Sequence, residues 1–174
     1  MIRRLAALLC LPGMLAGCED SGISNVGRRE MIGAKQLADM QGSSGAILVE
    51  IHGAPWPGAD ADAIAGTLRM PEGPGREVRF RTVPPGQGLI GDGERLVLHF
   101  NPQGTPDSAR DCRARSELAT GPPRKSGFIV QATFCRAESW LIHATFDADD
   151  VSPNDWLAYY LRMQDLLGTM FPDA

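Results

Sequence analysis

Two alternating runs in the last third of the chain restrict the possible folds more than any other feature. Phe128, Val130, Ala132 and Phe134 form one apolar set, Trp140, Ile142, Ala144 and Phe146 the other, and only Arg136-Ala137-Glu138-Ser139 separates the runs. A period of two marks β-strands, and so short a connection makes them an antiparallel hairpin. Three earlier runs read the same way: Ile47, Val49 and Ile51 against Leu48, Glu50 and His52; Val78 and Phe80 against Arg79 and Arg81; Leu96, Leu98 and Phe100 against Val97 and His99. Between the first two, Asp60 and Asp62 stand where a helix start favours negative charge, ahead of Ile64, Leu68 and Met70, and Pro71 ends that helix. Gly86 to Gly93 connects the second and third runs.

A second helix is marked by Ser152-Pro153-Asn154-Asp155, with a hydroxyl at the cap, proline at the first helical position and an acid three residues after the cap. It is expected from Pro153 to about Leu167, with an apolar stripe of Trp156, Leu157, Tyr160, Leu161, Met163 or Gln164, and Leu167, stopped by Gly168 and Pro172. The order predicts an α/β fold of the α+β kind: a two-layer sandwich whose mixed, mostly antiparallel five-stranded sheet carries both main helices on one face. Asn101 to Gly127 is too long for a plain loop, and a short helix from about Asp107 to Leu118, bearing Cys112, is expected inside it. Glu19 to Gly45 holds no sustained strand pattern and ends in Gln41-Gly42-Ser43-Ser44-Gly45, the composition of a spacer. Within it Met31, Ile32, Leu37 and Met40 fit one short amphipathic helix laid on the domain.

The N-terminus reads as an address. Arg3 and Arg4 precede an apolar run from Leu5 to Leu11, too short to span a bilayer, and Leu15-Ala16-Gly17-Cys18 closes the segment. In that order these residues resemble the signal peptide and lipobox of bacterial lipoproteins. The resemblance covers Met1 to Cys18 and implies removal of residues 1–17, a diacylglycerol on the Cys18 thiol, and often a third, palmitate-type acyl chain on the new amino group. Two or three chains hold a protein firmly to a membrane. The organisation expected is therefore a signal at 1–17, a lipidated tether at 18–44 and a single periplasmic domain at 45–174, anchored in the cell envelope to either the inner or the outer membrane. The bilayer is then the first partner.

Once Cys10 leaves with the signal and Cys18 takes lipid, Cys112 and Cys135 remain, an even pair in an oxidising compartment. A disulfide is the natural reading; a metal or redox pair is the competing one, without Cys-x-x-Cys spacing or a nearby histidine cluster in its favour. The formal net charge is −4, and losing Arg3 and Arg4 makes the mature chain more acidic, a poor match for nucleic acid.

Chemistry is sparsely signalled. The mature sequence has no Gly-x-Ser-x-Gly, His-Glu-x-x-His or Ser-x-x-Lys, so no catalytic residue is assigned. Asp60-Ala61-Asp62 and Asp147-Ala148-Asp149-Asp150 lack the remaining ligands of a calcium loop, and no metal set or cofactor is implied. Two candidates for binding remain. Trp56, between Pro55 and Pro57, is either a stiff apolar finger for a peptide or glycan or a loop residue folded onto the core. By strand parity, His52, His99 and His143 share the sheet face away from the helices with Glu50, Arg79, Arg81, Gln131 and Thr133. That face is expected to be a polar, partly solvated surface on which the three histidines do not gather. Three classes of function fit: a non-catalytic domain binding an envelope protein or glycan, a metal-binding protein or hydrolase using the histidine face, and an accessory subunit of an envelope complex.

Overall fold

The computed structural model describes residues 22–40, 45–70, 78–89 and 93–172. The signal segment with Cys10 and Cys18, the spacer residues 41–44, Pro71 and residues 90–92 lie outside them. The described chain is a mixed α+β domain with a six-stranded sheet and four helices. In chain order these are β1 (Ile23–Arg28), α1 (Ala34–Met40), β2 (Ile47–His52), α2 (Ala61–Thr67), β3 (Phe80–Val83), β4 (Glu94–Phe100), α3 (Ser108–Arg113), β5 (Phe128–Arg136), β6 (Ser139–Ala148) and α4 (Trp156–Met170). A 3₁₀ turn, Gln87–Leu89, precedes β4.

The strand order is β1-β6-β5-β4-β2-β3. The expected hairpin is β5–β6, antiparallel like β1–β6 and β4–β5, whereas β2 runs parallel to both β3 and β4. Five strands were expected; the sixth, β1, lies in the stretch that reads as spacer. It escapes the pattern because it is an edge strand of ISNVGR with mostly exposed side chains, a positive φ at Asn25 and a register shift between Ser24 and Gly27. Its backbone pairing, and not an apolar face, holds it in place.

One face of the sheet presents Ile47 and Val49 of β2, Leu96, Leu98 and Phe100 of β4, Phe128, Val130, Ala132 and Phe134 of β5, and Ile142, Ala144 and Phe146 of β6. On it pack Leu37 and Ala38 of α1, Ile64 and Ala65 of α2, and Tyr159, Met163, Leu166, Leu167 and Met170 of α4. Helix α4 crosses the length of the sheet: Tyr159 meets Phe128 in a tilted ring contact at 5.4 Å at one end, and Phe171 meets Phe134 at 5.3 Å at the other. Asp60 caps α2, accepting from the Ala63 N–H at 3.0 Å, and this helix ends at Thr67, before Pro71.

Three details of α4 and β6 correct the expectations. The cap of α4 is Asp155, which accepts from the Ala158 N–H at 3.0 Å, because Asn154 at φ 65° turns the chain before the helix begins. The helix continues past Gly168 to Met170, and its buried stripe is centred on Tyr159 and Met163, leaving Leu157 70% and Leu161 50% exposed. In β6 a register shift opposite Phe134/Cys135 turns Trp140 away from the core set, so that it packs with Val97, Cys112 and Cys135 on the opposite face.

Candidate functional site

On that opposite face the parity of the histidines holds, but solvent is excluded from its centre and reaches only its margins. His52 is the direct cross-strand neighbour of His99, His99 of Gln131, and Thr133 of His143. Glu50, His52, Arg95, His99, Asp111 and Thr133 are each 0% exposed. The cover is the segment from Asn101 to Gly127. Its helix α3, capped by Asp107, is shorter than the Asp107 to Leu118 span expected, and the Cys112–Cys135 disulfide, with Cα atoms 5.6 Å apart, fixes it to β5. Cys135 has the same parity as Gln131 and Thr133, so this bond brings α3 over the polar face and no other.

Two charged groups organise the layer. Arg95 lies 3.1 Å from Glu50 Oε1 through Nε, donates to the Ala137 carbonyl at 2.7 Å and to the Cys112 carbonyl at 2.5 Å, and so ties β2, the hairpin turn and the disulfide together. Burial pushes its pKa down, against the opposing pull of Glu50 and then Glu138. Gly88 donates its N–H to Glu50 Oε1 at 2.8 Å, and a Cβ there would stand 2.5 Å from that oxygen, so the contact requires glycine. Asp111 is the second centre: Oδ1 lies 3.2 Å from His99 Nδ1, and Oδ2 accepts from the Thr133 hydroxyl at 3.2 Å. The other His99 nitrogen faces the Ala119 carbonyl at 3.2 Å, so both ring nitrogens meet acceptors in the cover.

His52 is held differently. Its Nδ1 accepts from the Leu118 N–H at 3.1 Å, which leaves the proton on Nε2, 3.8 Å from Glu50 Oε2. Neither of those two atoms has a hydrogen-bond partner among the described residues. The His52 and His99 rings meet edge to face at 6.0 Å. His143 stands apart across β5, its ring 4.8 Å from Trp140, which carries the Arg29 guanidinium at 4.0 Å on its face. The ring lies over Gly27 of β1, where a Cβ would come within 2.0 Å of Nε2. Burial lowers the His143 pKa, Asp111 raises it and Arg29 lowers it further. Arg79 and Arg81, on the same face of the sheet, are exposed.

Trp56 is folded onto the core, 2% exposed, edge to face with Trp156 at 5.0 Å and with Tyr159 at 5.6 Å. A shallow depression of about 330 Å³ opens at the C-terminal ends of β2 and β3, lined by Ile51, Asp62, Thr82, Val83, Pro84 and Pro85. Asp62 accepts a hydrogen bond from the Thr82 hydroxyl there. Among the described residues no group of three or more His, Cys, Asp or Glu side chains is set to hold a metal ion, and no helix is long and apolar enough to cross a membrane.

Chemically, the polar layer is a set of groups engaged with one another. The sequence points to its histidines but not to Arg95, Asp111 or the Leu118 amide, which come from other segments and meet only when the cover closes. Compared with protein-family models, curated proteins and solved structures, the chain finds no match.

Proposed function

We propose that this chain is a lipid-anchored protein of the bacterial cell envelope, acylated on Cys18, facing the periplasm, and acting as a binding or accessory domain without catalysis. The observation that carries the non-catalytic part is the closure of the histidine face: His52, His99, Glu50 and Asp111 are fully buried and spent largely on contacts with the cover and with one another. A reacting group must be able to reach its substrate, and these cannot without unfolding the disulfide-pinned segment. The anchoring part rests on Arg3 and Arg4, the apolar run and Leu15-Ala16-Gly17-Cys18 in sequence order. The Cys112–Cys135 bond agrees with an oxidising compartment.

Expression in a bacterial host tests the anchor. The wild type is expected in the detergent-soluble membrane fraction with acyl groups visible by intact mass, and Cys18→Ser is expected to release the chain or block its processing. Membrane fractionation of the variant unchanged from the wild type, with no acyl mass on either, would sink the assignment. The non-catalytic part is tested by metal analysis of the purified mature domain. Stoichiometric zinc, lost on His52→Ala or His99→Ala, would replace it with the metal-binding reading, which the unpartnered His52 Nε2 and Glu50 Oε2 favour.

A further inference from the structure

The reading of Cys18 as the lipid site, on which this inference rests, meets a geometric fact about β1. The sheet begins at Ile23, and Gly22 is already fixed, its carbonyl accepting from the Asp147 N–H at 3.0 Å. Gly22 is four residues after Cys18. A chain of that length spans at most about 14 Å when fully extended. Strand β6, at ten residues, is about 34 Å long. The anchor therefore cannot reach around the domain, and it keeps the end of the sheet where β1 starts within about 14 Å of the bilayer surface.

That end can be named. Ile23 pairs with Phe146, Phe146 with Val130, and Val130 with Phe100, so the start of β1 lies in one row with the last residue of β4. Helix α4 starts at the same end: Gly127 donates its N–H to the Val151 carbonyl at 2.7 Å, and the Tyr159 ring in the second turn packs against Phe128. Arg28, at the other end of β1, donates to the Thr169 carbonyl in the last turn of α4, so β1 and α4 run alongside each other in one direction. Leu157, in the first turn, and Leu161, one turn on, are the outward leucines of α4 at 70% and 50% exposure, and Trp156 beside them is half-buried. Aromatic and aliphatic side chains beside a short anchor suit the boundary between headgroups and acyl chains.

We propose that the outward face of the first two turns of α4, Leu157 and Leu161 with the rim of Trp156, rests on the membrane to which Cys18 is anchored, and so fixes the orientation of the domain. The contact is apolar. Asp147, Asp149, Asp150 and Asp155 gather at that end against Arg124, Lys125 and Arg162, an acidic balance with no attraction for anionic headgroups. Two leucines would bind a membrane weakly from solution; a covalent anchor a few residues away raises their effective concentration at the surface enough for a weak contact to persist.

The test uses the acylated full-length protein in vesicles of phosphatidylethanolamine and phosphatidylglycerol. A fluorophore is placed on Leu157→Cys and, in a separate preparation, on Met31→Cys, an exposed residue beyond the far end of β1. Quenching by nitroxides carried in the lipid is expected to be several-fold stronger at position 157 than at 31, and to stay so as the phosphatidylglycerol fraction is varied. Equal quenching at the two positions on an acylated, vesicle-bound chain overturns this inference and leaves the lipid anchor standing. Absence of acyl mass overturns both. Shielding of position 157 from aqueous quenchers in native envelopes, without lipid quenching in vesicles, overturns it in favour of a protein partner on the same leucines.

Discussion

Arg95 is the side chain whose surroundings leave it least freedom. Fully buried, it neutralises Glu50 and satisfies two carbonyls, Ala137 and Cys112, that the fold places out of water. Replacing one member of a buried ion pair abandons the other, at a cost of about 3–5 kcal/mol, whereas replacing both by apolar residues of similar size is often close to neutral. Arg95→Met is therefore expected to lower stability by about that amount in urea unfolding, and Glu50→Met/Arg95→Met to recover much of it. A double variant as unstable as the single one would show that the two carbonyls, and not the charge of Glu50, dominate the role of Arg95. His143 gives the second test at this scale. Burial holds its pKa below the usual 6.5, so in a window below about pH 6.5 the unfolded chain binds a proton that the folded chain does not. Its contribution is complete above about pH 6.5 and is lost as the pH falls through the folded value. His143→Gln is expected to remove that acid-side slope, read as a urea midpoint that falls less than the wild type's between pH 7 and 5.

Among the elements, the cover built on α3 decides what the polar face can do, and a single bond decides where the cover lies. The disulfide closes a loop across a sequence separation of 23, and in the chain-entropy account removing it costs about 3 kcal/mol. Cys112→Ser/Cys135→Ser is expected to lose roughly that much stability and to speed amide exchange in Asn101 to Gly127 ahead of β4 and β5. Uniform loss of protection throughout the sheet would mean that the cover and the sheet open as one unit. Most elements were legible beforehand because alternation with a buried face leaves its mark on sequence: β2 to β6 and the helices α2 and α4 follow from it. What was not legible has physical reasons. Parity says which side a histidine takes but not what lies over it, and Ser139–Ala148 hides a register shift that sends Trp140 to the opposite face. The cover could have been read from Cys135, whose odd position in β5 commits the disulfide to the polar side.

For the whole molecule the decisive quantity is where the fold begins. The sequence places a domain boundary near Gly45, because nothing before it alternates, and expects ahead of it only a short helix laid on the domain; the structure has that helix, α1, and adds an edge strand of the same body. Ile32, Leu37 and Ala38 are buried in the common core, and β1 occupies the open edge of β6. Burial of an Ile or Leu side chain contributes about 1.5–3 kcal/mol, so losing Ile32 and Leu37 alone removes about 3–6 kcal/mol from a domain whose total is on the order of 5–15. The same truncation bares a ten-residue strand whose unpaired amides and carbonyls invite another chain. A soluble chain begun at Gly22 is accordingly expected to be monomeric by size-exclusion chromatography and to unfold in one cooperative urea transition. One begun at Gly45 is expected to be destabilised by several kcal/mol and to associate. If the shorter chain were monomeric with the same midpoint, β1 and α1 would be an appendage to the sheet, Cys18 would no longer be tied closely to the sheet, and the bilayer could no longer orient the domain.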